Sequence, residues 1–395
     1  MKKDLLHTPE GVRDIYNQEC EQKMALESGM LSMMKAYGYH PIQTPMFEFF
    51  DIFGKEIGST PSKDLYKFFD REGNTLVLRP DITPSIARCA SKYYMDETTP
   101  LRFCYVGNTF VNNSSLQGRL KEYTQAGAEF IGDGSVDADA EIIALAIQLL
   151  KEAGLKEFQL SVGHVGFLEG LFEAAGLSAE TEEEIRDRIH NRNFYGVLDI
   201  IGSLSLEKNL ADLFTLIAKP VVTLAEIRAA QGKALEYPRV LEALKRLEEL
   251  NTLLEIYGVD RYITYELAMQ TELTYYTGMI FAGYTYGTGE AIVKGGRYDG
   301  LLTYFGKESP ATGFAVVVNR LMSALSRQNI SIPVENRTKW ILYDEEHRRE
   351  AVEQAIRLRG AGEEAELMPV RNLSDREKLE ERARKNRAAE ILYYC

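Results

Sequence analysis

Apolar residues recur at helical spacing from Glu19 to Tyr37 and stop at Gly38, which predicts a helix ending on a glycine. The next stretch, Tyr39-His-Pro-Ile-Gln-Thr-Pro, reads as extended, because a residue before proline is pushed out of the helical region. Leu65 to Phe69 and Thr75 to Leu78 flank the turn-forming cluster Asp70-Arg-Glu-Gly-Asn and predict a hairpin. Pro84 to Tyr94 is a short helix. Leu101 to Val111 and Lys121 to Ile131 are strands joined by Asn112-Asn-Ser-Ser-Leu-Gln-Gly. Glu141 to Ala153 reads as a helix and Phe158 to Val162 as a strand. Hairpins around a few helices predict an α+β fold with a mostly antiparallel sheet.

From about Gly166 to Tyr257 helical periodicity dominates, and we read residues 166–257 as a helical insertion. Strand patterns return at Tyr262 to Leu267, Met279 to Tyr286 and Ala291 to Lys294, followed by a helix from about Gly313 to Arg327. Asn329 to Asn336 reads as a linker. Beyond it, strand Lys339–Tyr343, helix His347–Arg359, strand Ala365–Met368, helix Asp375–Asn386 and strand Ala389–Tyr394 predict a small parallel sheet. Ser374 and Glu377 have the spacing of a capping box for the second of these helices. The pattern divides the chain into a core, residues 1–325, and a small C-terminal α/β unit, residues 326–395.

Composition narrows the classes. A chain of 395 residues with 45% hydrophobic content can bury a large core. Its formal charge of -13 argues against a polyphosphate partner, since nucleic-acid binders carry a basic surface. The four cysteines form no Cys-x-x-Cys pair, which predicts reduced thiols and no metal site. No apolar stretch is long enough for a signal peptide or a membrane span, so a cytoplasmic protein is expected.

Three segments carry candidate chemistry. In Tyr123-Thr-Gln-Ala-Gly-Ala-Glu-Phe-Ile-Gly, strand alternation puts Gln125, Gly127 and Glu129 on one face and Ala126, Ala128 and Phe130 on the other. The second face is core. The first offers an amide and a carboxylate with space between, suited to a small polar or cationic ligand. Alternation alone leaves open whether that face meets a ligand or solvent. In Lys294-Gly-Gly-Arg-Tyr-Asp-Gly, two glycines allow close backbone approach and Arg297 could grip a carboxylate. In Thr274-Tyr-Tyr-Thr-Gly, the paired tyrosines would send one ring to each face if the segment is a strand, one to the core and one to a pocket wall. No phosphate-loop spacing occurs, and the five histidines form no cluster.

Taken together and in order, these segments resemble the class II histidyl-tRNA synthetases over roughly residues 8 to 325. Gly11-Val-Arg-Asp opens the match. Tyr37-Gly-Tyr-His-Pro-Ile-Gln-Thr-Pro-Met-Phe-Glu resembles motif 1, the dimer-forming element. Leu78-Arg-Pro-Asp-Ile-Thr resembles Leu-Arg-Pro-Glu-x-Thr, and Phe103 to Gly132 resembles motif 2. Thr274-Tyr-Tyr lies in the second histidine signature, and Gly313 to Arg320 resembles motif 3. The resemblance implies that Asp81, Thr83 and Gln125 face an α-ammonium group, that Glu129 and Tyr276 face an imidazole, and that Tyr275 and Arg297 belong to the same histidine site.

The departures are as informative. Val111 stands where the family has the arginine that grips the ATP α-phosphate. Thr271 stands where it has the arginine that meets the histidine carboxylate and the same phosphate. Val317 and Asn319 replace a glycine and a glutamate of motif 3, while Arg320 is kept. Losing these charges removes the electrostatic stabilisation that adenylation needs. The C-terminal unit is also shorter than the family's tRNA-reading domain. This combination resembles the regulatory-subunit family of ATP phosphoribosyltransferase. The resemblance implies a non-catalytic chain without cofactor or metal, partnered by the short catalytic subunit in the first step of histidine biosynthesis. It also implies a homodimer through motif 1, L-histidine as feedback ligand, and no nucleic acid or membrane partner. A divergent histidyl-tRNA synthetase and a stand-alone histidine sensor are the alternatives.

Overall fold

The computed structural model describes residues 6–54, 60–113, 120–271, 273–334, 337–386 and 388–395. They form two compact units, residues 1–332 and 333–395.

The larger unit is built on an eight-stranded sheet. From one edge the strands run His40–Pro41, Leu101–Phe110, Glu122–Ile131, Ala311–Val317, Val293–Arg297, Met279–Thr285, Phe158–His164 and Ile263–Tyr265. The inner pairs are antiparallel, and the strand at each edge pairs parallel with its neighbour. The sheet is therefore mixed, with the expected antiparallel character in its interior.

Its two faces bury different things. On one face Ala126, Ala128, Phe130, Val162, Phe281 and Val316 join the main core, under helices Asn17–Ala36 and Val136–Glu152. Leu26, Met30 and Met34 recur every four residues and turn one stripe of the first helix inward. The second helix begins at Val136, five residues before the position read from periodicity. The Ser135 side chain accepts from the Ala138 amide, and Asp137 and Asp139 complement the positive helix end. Helices between Val165 and Ile256 pack their apolar stripes into the same core. On the opposite face, Ile86 and Ala90 of helix Thr83–Tyr93, and Ile82 just before it, pack with Phe103, Tyr105, Tyr275 and Tyr298. A separate three-stranded sheet pairs Phe47–Phe49 and Lys67–Phe69 with Thr75–Leu78, so the expected hairpin is present.

One expected helix begins as a strand. Residues from Gly313 were read as helical, but Ala311–Val317 is a central strand and the helix is Val318–Arg327. A continuous apolar run buried on both faces has no period to separate strand from helix, and its valines favour the strand. The connection from Asn112 to Gly118 lies outside the described residues from Ser114 onward. So do Glu335 and Asn336 at the end of the linker.

In the smaller unit, Lys339–Tyr343 is flanked in parallel by Ala365–Pro369 and Glu390–Tyr394. Ile341 packs with Ala351, Ala355 and Leu358 of one helix, while Trp340 and Leu342 pack with Ala383 of the other. The two helices thus cover opposite faces. Helix Leu373–Lys385 is capped by Asn372, whose side chain accepts from the Asp375 amide; Ser374 lies inside the helix rather than capping it.

Candidate functional site

On the sheet face opposite the main core lies a cavity of about 160 Å³. Asp81, Thr83, Gln125, Glu129, Tyr275 and Tyr276 all line it. They come from the start of a helix, a central strand and a loop that are far apart in sequence. The alternation read from Tyr123 to Gly132 holds: Ala126, Ala128 and Phe130 are buried in the core, and Gln125 and Glu129 turn to the cavity.

Glu129 is the centre of the site. The Thr83 hydroxyl donates to Oε1 at 2.6 Å, and the Tyr298 hydroxyl donates to Oε2. Burial disfavours the charged carboxylate and pushes its pKa up to about 8. The two hydroxyl donors pull it back down, while the nearby Asp81 raises it further. Burial thus favours the protonated form of this carboxyl near neutral pH. Strand packing demands glycine beside it: Gly313 pairs with Glu129, and a Cβ there would collide with the Glu129 carboxylate.

Asp81 is also raised by burial, against hydrogen bonds that favour its charged form. The Tyr275 hydroxyl donates to Oδ2 at 2.9 Å, and the Ile82 amide donates to Oδ1 at 2.7 Å. Gln125 completes the acidic side of the cavity. Its Oε1 is buried without a hydrogen-bond partner, an arrangement that ordinarily costs free energy unless a donor is supplied. The cavity therefore offers acceptors to a ligand that brings N–H groups.

Arg297 is not part of the cavity. Its Nε donates to Asp139 at 2.9 Å, Nη1 to the Asp133 carbonyl and Asp299, and Nη2 to the Ser135 carbonyl. Asp139 is fully buried and also takes Arg246, from helix Pro238–Ile256, at 2.6 Å. The arginine chosen from the glycine motif is thus a core clamp. Alternation along the strand gives the reason: Val293, Gly295 and Arg297 share the core face, while Lys294, Gly296 and Tyr298 share the cavity face. Lys294 and Tyr298 line the cavity, and the same two-residue period in the quoted motif would have found both.

The positions expected to handle ATP are committed to local structure. The Val111 amide donates to the Lys121 carbonyl and extends the hairpin. Thr271 Oγ1 accepts from the Leu273 amide. Asn319 Oδ1 accepts from the Thr124 amide at 2.7 Å. Arg320 donates to the Ala291 carbonyl, pairs with Glu290 and lies 5.5 Å from the Tyr123 ring centre.

Residues 11–321 match the family described as histidyl-tRNA synthetase. A protein of Acetivibrio thermocellus named ATP phosphoribosyltransferase regulatory subunit is 40% identical over 360 residues, covering 90% of this chain and 85% of its own. A relative of the same name from Ruminiclostridium cellulolyticum is 39% identical, covering 90% and 84%. A crystal structure from Bacillus halodurans, described as an ATP phosphoribosyltransferase regulatory subunit/histidyl-tRNA synthetase, superposes with a TM-score of 0.85 at 31% identity, covering 99% and 98%. Histidyl-tRNA synthetase of a Nostoc species shares the fold, with a TM-score of 0.79 at 20% identity over 96% of this chain and 89% of that one.

Proposed function

Because this chain belongs to the histidyl-tRNA synthetase family, among the regulatory subunits of ATP phosphoribosyltransferase, we propose that it binds L-histidine in the Glu129 cavity and passes that occupancy to the short catalytic subunit. It is a non-catalytic subunit with a regulatory role in histidine biosynthesis. The observation that carries the ligand assignment is the pairing of Glu129, held by Thr83 and Tyr298, with the unpartnered Gln125 Oε1 beside it.

The chemistry fits an imidazole and an ammonium group together. An imidazole at Glu129 would share one proton with the carboxyl, a bond strengthened by the low local dielectric. Gln125 and Asp81 would accept from the α-ammonium, giving Gln125 Oε1 the donor it lacks. Tyr275 and Tyr276, tilted at 52° with ring centres 4.9 Å apart, would wall the side chain. A ligand regulates only through differential affinity for two states, so histidine must bind more tightly to the complex in its inhibited form.

A second copy of the chain is proposed on the motif 1 sheet. Phe47, Phe49 and Phe68 lie on one face of that sheet and are exposed, an apolar surface suited to a two-fold partner. The net charge of -13 favours a complex without nucleic acid.

The test is calorimetric titration of histidine into the chain, alone and mixed with the short catalytic subunit. Glu129→Gln is expected to lose at least tenfold in affinity and to relieve histidine inhibition of the complex. Inhibition unchanged in that variant would move the ligand elsewhere.

A further inference from the structure

Resting on the reading that this cavity holds histidine, we propose that Lys294 receives the ligand's α-carboxylate and so selects the amino acid over analogues that lack it. Lys294 is the one cationic side chain lining the cavity among the described residues. The other four residues of its strand, Val293–Arg297, are buried; it alone is exposed. Its ammonium group makes no ion pair or hydrogen bond with the described residues.

Register places it where a carboxylate needs a partner. Lys294 pairs with Ala315, and Ala315 pairs with Gly127, the residue between Gln125 and Glu129. Directly opposed residues share a face, so the lysine stands two strands, roughly 10 Å, from Gly127 on the same surface. Between them Ala315 contributes only a methyl group, and Gly313 and Gly296 contribute no side chain, while the Tyr105 ring covers Gly127 itself, where a Cβ would meet its hydroxyl at 2.5 Å. The Tyr276 ring closes over Gly296, where a Cβ would meet its Cδ1 at 3.0 Å. The result is a trough with two carboxyl groups and an unpartnered amide oxygen at one end and an ammonium group at the other.

That polarity orients a zwitterion. The end with Asp81, Glu129 and the unpartnered Gln125 oxygen suits a ligand's N–H groups, and the lysine end attracts its carboxylate. The resemblance to the synthetases left the carboxylate without a partner, because Thr271 stands in place of the arginine and its hydroxyl serves its own turn. Lys294 supplies the missing charge from a different strand.

The experiment compares L-histidine with histamine, which has the same imidazole and amine but no carboxylate. Titration calorimetry is run on the full chain and on Lys294→Met, Lys294→Arg and Glu129→Gln. The wild type is expected to prefer histidine by about ten- to a hundredfold, the range of a charge-assisted hydrogen bond. Lys294→Met should weaken histidine alone and bring the two ligands within a few fold. Lys294→Arg should keep most of the preference. An unchanged ratio in Lys294→Met, with Glu129→Gln still weakened, overturns the lysine assignment alone. Histidine binding that is absent, or is indifferent to Glu129→Gln, overturns both readings. The exposed position makes Lys294→Met compatible with an unchanged melting temperature, which is measured alongside.

Discussion

Thr83, the first residue of its helix, donates its hydroxyl to Glu129 Oε1 at 2.6 Å, across 46 residues of sequence. This bond ties the start of helix Thr83–Tyr93 to the strand Glu122–Ile131, the two elements proposed to receive the ligand's ammonium group and imidazole. Thr83→Val keeps the shape and removes the donor. The Glu129 carboxyl should then titrate higher, because a bond that favours its charged form is gone. Histidine affinity should fall about tenfold. Unchanged affinity by calorimetry would show that the bond is idle in recognition.

The pH dependence of histidine binding follows from two groups sharing one proton. Free Glu129 titrates at about 8, and a free imidazole at about 6.5. Between these values the empty carboxyl holds a proton, the free imidazole holds none, and the complex holds one, so affinity is flat. Below about pH 6.5 binding must release a proton and weakens as pH falls. Above about pH 8 it must take one up and weakens as pH rises. Each limb approaches tenfold per pH unit. Glu129→Gln should abolish the alkaline limb, and an alkaline limb that persists in that variant assigns it to another group.

Asp139 is buried between Arg297 and Arg246. Asp139→Asn removes the buried charge that two arginines share, leaving Arg297 only Asp299, and is expected to cost about 3–5 kcal/mol of unfolding free energy, seen as a lower urea midpoint. Because Arg297 directly precedes Tyr298, a folded fraction of the variant should also bind histidine less tightly. A midpoint equal to the wild type would contradict the clamp.

The exposed phenylalanines make a separate prediction. Phe49→Glu puts a charge on the proposed two-fold surface and should shift the chain from dimer to monomer in sedimentation. Its fold should be retained, because Phe49 is already half-exposed at 55%. A dimer that survives this change lies on another surface.

How far the sequence reaches can be seen in single residues. Gln125 and Glu129 were legible because strand alternation is a strict period of two and their neighbours are alanines and a phenylalanine. Whether that polar face met water or a cavity was not, since this depends on Tyr275, Tyr276 and helix Thr83–Tyr93 arriving from elsewhere. Arg297 was misread because a charge in a glycine motif attracts attention, whereas the period of the strand assigns it to the core with Asp139. The strand Ala311–Val317 was hidden for the opposite reason: burial on both faces erases the period that would reveal it.

Strand Glu122–Ile131 does two jobs with one backbone, and this has an evolutionary corollary. A slip of one residue would swing Ala126 and Ala128 into the cavity and drive Glu129 into the apolar core, so packing stability alone would hold Gln125 and Glu129 in alignment. Val111 and Thr271 stand beyond strand ends, and neither side chain bonds to this strand among the described residues, whereas the Asn319 side chain still holds its Thr124 amide. An ancestor could therefore drift away from adenylation without disturbing the surface that tells one amino acid from another.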